Sequence, residues 1–69
     1  METIKLRGEY IKLGQALKAV GLVDEGVEAK FVIVDGKVKV NGEVCTQRGK
    51  KLYGGDEVEY ADTKIKIEE

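Results

Sequence analysis

The chain has 69 residues, which is enough for one domain with a modest core and too few for a deep catalytic cleft. One cysteine, Cys45, and no histidine occur in it, which excludes disulfide staples and the usual zinc sites. The 12 basic and 13 acidic residues nearly cancel, so net charge alone does not favour a nucleic-acid partner.

The first predicted elements are a strand and a helix. Ile4 and Leu6 alternate with polar neighbours before Gly8, which is the period-2 pattern of a short strand with one buried face. A helix is predicted over residues 12–20, where apolar side chains recur at helical spacing. Gly21 then stands where a left-handed C-terminal cap is expected.

A second helix is predicted from about residue 25 to Asp35, closed by Gly36. The run FVIV within it has high β propensity, so the local sequence also permits a strand. The Glu25-x-x-Glu28 spacing resembles a capping box, although glutamate replaces the usual serine or threonine, and Asp24 is then the expected cap. The capping pattern and the terminal glycine favour the helix.

The segment KVKVNGEV predicts a β-hairpin, because alternating valines flank an Asn-Gly pair that accepts positive φ at low cost. Two registers are compatible with it. A two-residue Asn41–Gly42 loop would place Cys45 on the face of Val38. A three-residue loop with a glycine bulge would instead pair Val38 with Val44 and set opposite charges across the strands.

The remaining residues predict a polar loop, a turn and two strands. The loop covers Thr46 to Lys51, and the turn contains Gly54–Gly55–Asp56. Strands follow at Val58–Tyr60 and in the alternating segment TKIKIE. Without proline, repeats or low-complexity stretches, the pattern indicates a single α+β domain over residues 1–69.

Charge is segregated along the chain. Residues 30–51 contain six basic and two acidic residues, whereas residues 52–69 contain two basic and six acidic ones. Basic and acidic segments of one small domain can lie on opposite sides of it. The placement of charge therefore says more about a partner than the total does.

Residues 12–58 together resemble the RNA-binding domain first seen in ribosomal protein S-four, often called the alpha-L motif. The likeness runs from KLGQALKAVGLV through EGVEAKFVIVDGKVKVNGEV to QRGKKLYGGDEV. Short stand-alone bacterial members of the YaaA and YbcJ type carry a segment similar to RGKKL. The resemblance implies two short helices packed on a small, bent antiparallel sheet of about four to five strands. It implies no cofactor, no metal and no catalytic residue.

The same resemblance implies which residues bind RNA. They lie on the two helices and in the basic loop: Lys12, Gln15, Lys18, Lys30, Arg48, Gly49, Lys50 and Lys51. Arginine can bind a phosphate in bidentate fashion, lysine acts as a point charge, and a glycine permits close approach. Gly26 and Gln47 stand where many members carry arginine, which lowers the expected affinity.

Structural roles are preferred for several other residues. The four aromatic residues are expected in the core or at its rim and not stacked on bases: Tyr10, Phe31, Tyr53 and Tyr60. Cys45 is interpreted as a half-buried hairpin thiol, since no histidine is present to deprotonate it. Lys37 and Lys39 are interpreted as strand residues facing water.

The sequence therefore predicts a non-enzymatic module that binds structured, ribosomal RNA, acts as a cytoplasmic monomer and associates with ribosomal particles. No signal peptide or membrane span is expected, because no apolar run is long enough. An assembly adaptor that binds protein on the same fold is the alternative, suggested by the near-zero charge and by Gly26 and Gln47. A ubiquitin-like sulfur carrier is disfavoured, because Gly54–Gly55 is internal.

Overall fold

Two helices and seven short strands make up the computed structural model, which describes residues 2–69. The elements are β1 Glu2–Lys5, β2 Ile11–Lys12, α1 Leu13–Ala19, α2 Gly26–Val34, β3 Lys39–Val40, β4 Glu43–Val44, β5 Lys51–Leu52, β6 Glu57–Tyr60 and β7 Thr63–Glu68. The α+β class is confirmed.

Helix α1 lies within one residue of its predicted bounds at each end. Leu13, Ala16 and Leu17 are completely buried, which is the apolar stripe expected from their spacing. The backbone reverses at Gly21 with φ of 79°, a left-handed conformation that glycine adopts without strain.

Residues 26–34 are helical, so the choice of helix over strand for the FVIV run is confirmed. Ala29 and Ile33, one helical turn apart, are buried together. The expected cap is wrong. Asp24 does not cap α2; its backbone N–H donates to the side chain of Glu28 at 2.8 Å, and the N-cap residue is Glu25.

The main sheet has five strands in the order β1-β7-β6-β3-β4. The expected strand number is confirmed, but the sheet is mixed and not antiparallel, because β1 runs parallel to β7 and Ile4 pairs with Ile67. A second ladder of two strands, β2 and β5, was not predicted. Its strands are two residues long, too short to show a periodic pattern.

The hairpin between β3 and β4 takes the two-residue register, in which Val40 pairs with Glu43. The Asn41–Gly42 loop has φ of 52° and 86°, the positive values that a twisted two-residue hairpin needs. Cys45 donates its backbone N–H to the Val38 carbonyl at 3.0 Å. Its side chain is half-buried against the core, as expected for a structural thiol.

Side-chain hydrogen bonds join this hairpin to the turn before β6. The Asn41 amide donates from Nδ2 to Asp56 Oδ1 at 3.1 Å and accepts the Glu57 N–H at 3.0 Å. The other carboxylate oxygen of Asp56 accepts the Tyr53 N–H at 2.8 Å. The VNG and GD segments are thus connected parts of one structure.

The core lies between both helices and the sheet, and only aliphatic residues fill it. Its buried members are Leu13, Ala16, Leu17, Val23, Ala29, Ile33, Val38, Val40, Leu52, Val58, Ile65 and Ile67. Core or rim packing is wrong for Phe31, which is 67% exposed on α2, whereas Tyr10 and Tyr53 are 38% and 46% exposed and lie outside the core. Tyr60 is half-buried. Within residues 2–69, neither helix has the length and apolar character to cross a membrane.

Candidate nucleic-acid interface

The loop between β4 and β5, which contains Arg48 and Lys50 and is called the basic loop below, is held against the start of α1 by backbone hydrogen bonds. The Leu13 N–H donates to the Lys50 carbonyl at 2.9 Å, and the Gly14 N–H donates to the Arg48 carbonyl at 3.2 Å. The first amides of a helix lack partners within the helix, so these two carbonyls satisfy them. Because carbonyl oxygens make the attachment, the Arg48 and Lys50 side chains are left exposed to solvent.

The ladder between β2 and β5 adds two more cations where the basic loop meets the start of α1, a region that we call the α1 corner. Lys12 and Lys51 are paired directly across it, and the neighbouring pair Ile11 and Leu52 faces the core. Like charges opposite one another are normally destabilising, and a bound anion relieves the repulsion. We refer to Lys12, Arg48, Lys50 and Lys51 as the basic cluster.

Helix α2 approaches the same corner at Gly14. A Cβ placed on Gly14 would lie 3.8 Å from Ala29 Cβ on α2 and 3.8 Å from the Arg48 carbonyl oxygen. The small residue thus lets α1, α2 and the loop meet. Lys30 follows Ala29 on α2 and is exposed, so it adds a cation on the helix beside the cluster.

The basic cluster has no acidic partner among the described residues. The ion pairs in residues 2–69 join Lys37 to Asp35 at 3.4 Å and Lys66 to Glu57 at 3.7 Å. None of them involves the basic cluster or Lys30. Exposed, uncompensated cations at one corner attract an anion, and a polyanion such as a nucleic-acid backbone gains from several of them at once.

Three of the predicted site residues are not part of the basic cluster: Lys18, Gln15 and Gly49. Lys18 is exposed on α1, about 8 Å along the helix axis from its first residue. Gln15 accepts the Lys12 N–H at 3.2 Å through Oε1 and lines a groove toward β1. A Cβ at Gly49 would meet nothing within 4 Å, so packing inside the chain does not require that glycine. Contact of the predicted residues with RNA stays a prediction.

Three exposed residues are not among the predicted RNA-binding residues: Arg7, and Tyr10 and Tyr53, for which the sequence favours core or rim packing over base stacking. Arg7 lines the groove between β1 and α1 together with Tyr10. Tyr10 and Tyr53 flank the ladder, with ring centroids 6.1 Å apart. The mirrored triplets YIK and KLY were the available signal, since antiparallel pairing brings their tyrosines together and their lysines together. Over residues 2–69, no three acidic or cysteine side chains are grouped to hold a metal.

Comparison with known proteins identifies the family. A sequence model described as the S4 domain matches residues 4–68. The chain belongs to the S4 domain family. The predicted relationship to ribosomal protein S-four and its short stand-alone members is thereby confirmed.

Two relatives of this S4 domain match most of its length. The probable ribosome maturation protein RlbA of Bacillus subtilis is 43% identical over 56 residues, covering 81% of this chain and 79% of its own. YbcJ of Escherichia coli is 33% identical over 58 residues, covering 84% and 83% respectively.

A solved structure supports the fold of this S4 domain. The solution structure of YbcJ from E. coli, described as revealing an alpha-L motif involved in RNA binding, superimposes with a TM-score of 0.76. The match has 31% sequence identity and covers 100% of this chain and 89% of that one. The predicted alpha-L architecture of two helices on a small sheet is confirmed.

Proposed function

We propose that this S4 domain is an RNA-binding module whose main contact surface is the basic cluster with Lys30 beside it. The observation that supports this most strongly is the meeting of the loop, β2, α1 and α2 at Gly14, which gathers cations with no acidic partner among residues 2–69. Family membership and the RNA-binding motif described for YbcJ point to the same ligand.

The RNA we propose is structured, and ribosomal RNA is the leading candidate. RlbA, whose name assigns it to ribosome maturation, supports a role on ribosomal particles. Folded RNA is recognised largely by its shape and by its phosphates and 2′-hydroxyls, which suits a rigid corner carrying several cations. We infer that the domain acts in the cytoplasm, as a monomer and without catalysis.

Binding at this corner would be mainly electrostatic. Each phosphate neutralised by a lysine or arginine releases condensed counterions. Arg48 can bind one phosphate through two parallel hydrogen bonds, whereas Lys12, Lys50 and Lys51 act as adjustable point charges. The backbone attachment of the loop to α1 fixes the main-chain positions from which Arg48 and Lys50 extend before RNA arrives, which reduces the backbone entropy lost on binding.

The test is to titrate the purified protein against folded fragments of ribosomal RNA over a series of salt concentrations. If four or five phosphates are contacted, the plot of log affinity against log salt should have a slope of about −3 to −4.5. A length-matched unstructured RNA is the control and should bind more weakly. No retention of any RNA at low salt would refute the proposal, and RNA recovered cleaved or modified would refute its non-catalytic part.

The adaptor alternative has less support, because the family relationship favours RNA. Nuclease treatment before affinity purification from cells separates the two. Partners that are recovered through RNA should be lost after treatment, whereas partners bound directly by an adaptor should remain.

A further inference from the structure

We propose that Tyr10 and Tyr53 form a stacking site for an unpaired nucleobase at the edge of the basic cluster. The inference rests on the proposed RNA-binding function and specifies its ligand. The RNA must present at least one unstacked base, in a loop, bulge or end, next to the phosphates that the lysines bind. A continuous duplex offers no such base.

The strand register places these groups on one face. Ile11 pairs with Leu52, which makes Tyr10 the neighbour of Tyr53 across the ladder. Tyr10 lies just before β2 and Tyr53 just after β5, and the contacts of the Tyr10 ring with Lys51 Nζ and with the Tyr53 ring place both rings on the side of the ladder that carries the lysines. Leu52 is completely buried, so its face is the core and the opposite face is solvent. The ladder therefore presents two rings and two cations outward.

The rings are accessible, although the protein has few aromatic residues. Tyr53 is 46% exposed and Tyr10 is 38% exposed, while the core is closed by aliphatic side chains without them. Lys51 Nζ lies 4.8 Å from the centroid of the Tyr10 ring, a cation–π distance. That contact covers part of Tyr10, so the more exposed Tyr53 is the ring we expect a base to reach first. Lys51 would then lie beside the stacked base, close enough to contact the phosphate of the same nucleotide.

Tyr53 is also held in place. Its N–H donates to Asp56 Oδ2 at 2.8 Å, and the Asp56 N–H donates back to the Tyr53 carbonyl at 3.1 Å. These bonds close the turn after β5, in which Gly55 has φ of 98°. A ring on a fixed backbone loses little freedom when a base stacks on it.

The competing explanation is purely structural. Cross-strand aromatic pairs stabilise antiparallel ladders, and a ladder of two-residue strands benefits from one. This accounts for the contact between the rings but not for their exposure or for the lysines on the same face. The two explanations differ in what an aliphatic replacement does to RNA binding when folding is intact.

The experiment uses the full chain and two RNA probes of matched stem sequence, a hairpin with a short unpaired loop and a continuous duplex. We compare wild type with Tyr53→Leu, Tyr53→Phe and Tyr10→Leu. Phe31→Leu is the matched control, because Phe31 is 67% exposed but lies on α2. Circular dichroism melting establishes that each variant is folded at the assay temperature.

We expect Tyr53→Leu to weaken hairpin binding about tenfold, within the range for one base stacked on an aromatic ring. Tyr10→Leu should have a smaller effect in the same direction. Tyr53→Phe and Phe31→Leu should change hairpin binding by less than about twofold, and duplex binding should be equally insensitive in every variant. A hairpin preference that survives Tyr53→Leu and Tyr10→Leu overturns the stacking site.

A second measurement does not depend on the variants. With 2-aminopurine in the hairpin loop, wild-type protein should quench its emission on binding, because stacking on a ring quenches this base. Binding without quenching, or equal affinity for hairpin and duplex, overturns the stacking site and leaves RNA binding intact. Failure to bind either probe at low salt overturns the proposed function as well, so the two failures are distinguishable.

Discussion

The Asn41–Gly42 turn and the loop over residues 47–50 look alike by composition, since both are short, polar and contain one glycine. They are held in different ways. At the hairpin turn, the Asn41 side chain makes two hydrogen bonds within the chain, to Asp56 and Glu57. At the basic loop, main-chain carbonyls make the contacts with α1 and the side chains stay exposed.

This difference separates residues that hold the fold from residues available to a ligand. Removing a side chain from the hairpin turn breaks internal bonds, so its cost should appear in stability. Truncating side chains in the basic loop leaves the attaching carbonyls in place, so its cost should appear in RNA binding. The two effects can be measured independently on one set of variants.

The largest effect is expected from the triple variant Arg48→Ala, Lys50→Ala, Lys51→Ala. Affinity for folded RNA should fall about 100-fold, at about 1 kcal/mol for each lost solvent-exposed ion contact. The salt slope should become shallower by about 2 to 3, because fewer counterions are released. Filter binding over a salt series measures both quantities. The melting temperature should stay close to that of wild type; a large drop would show that these side chains hold the fold after all.

The next largest effect is expected at the hairpin turn, from Asn41→Ala. The change removes two hydrogen bonds and leaves alanine at φ of 52°, so unfolding should require about 2 kcal/mol less. Urea denaturation measures this difference. Asn41→Gly is the matched control, because it removes the same bonds without backbone strain and should lose roughly half as much. RNA affinity at a temperature where the variant is folded should be unchanged, and a loss of affinity there would contradict the comparison.

How far the sequence predicts the fold depends on how local each signal is. Gly21 and Gly36 end helices, and the Asn-Gly pair makes a turn, through backbone preferences of single residues, so these features were predicted correctly. The parallel pairing of β1 with β7 joins the two ends of the described chain, and no local pattern reports it. The β2–β5 ladder is too short for periodicity to be visible.

The candidate site likewise has features that the sequence predicts and features that it does not. The resemblance identified cations that the structure brings together, but composition could not show that Lys12 faces Lys51 or that carbonyls of the loop cap α1. For the tyrosine pair, the sequence favours the core or its rim, because small domains usually bury aromatic residues. Aliphatic side chains fill this core, which leaves the rings on the surface.

A smaller effect is expected from Gly26→Arg, which adds a cation at the start of α2. A Cβ at this position would meet nothing within 4 Å, and Gly26 precedes Lys30 by one helical turn, so the new side chain can join the proposed RNA-contact surface. Affinity should rise about threefold to fivefold, with a salt slope steeper by about 0.7 to 0.9. Gly26→Gln is the uncharged control and should bind like wild type. An equal gain in both variants would mean that helix stability, not charge, is responsible.

The smallest effect is expected from the double variant Lys37→Ala, Lys39→Ala, although both lysines belong to the basic segment that charge counting identifies. Lys37 lies 3.4 Å from Asp35, and Lys39 is paired across the sheet with Glu59, so each already has an acidic neighbour. RNA affinity should change by less than about twofold, since no uncompensated charge is lost. The double variant Lys50→Ala, Lys51→Ala removes the same net charge and should weaken binding at least tenfold in the same filter-binding assay. Equal losses in the two double variants would show that total charge governs binding, and that placement at the α1 corner does not.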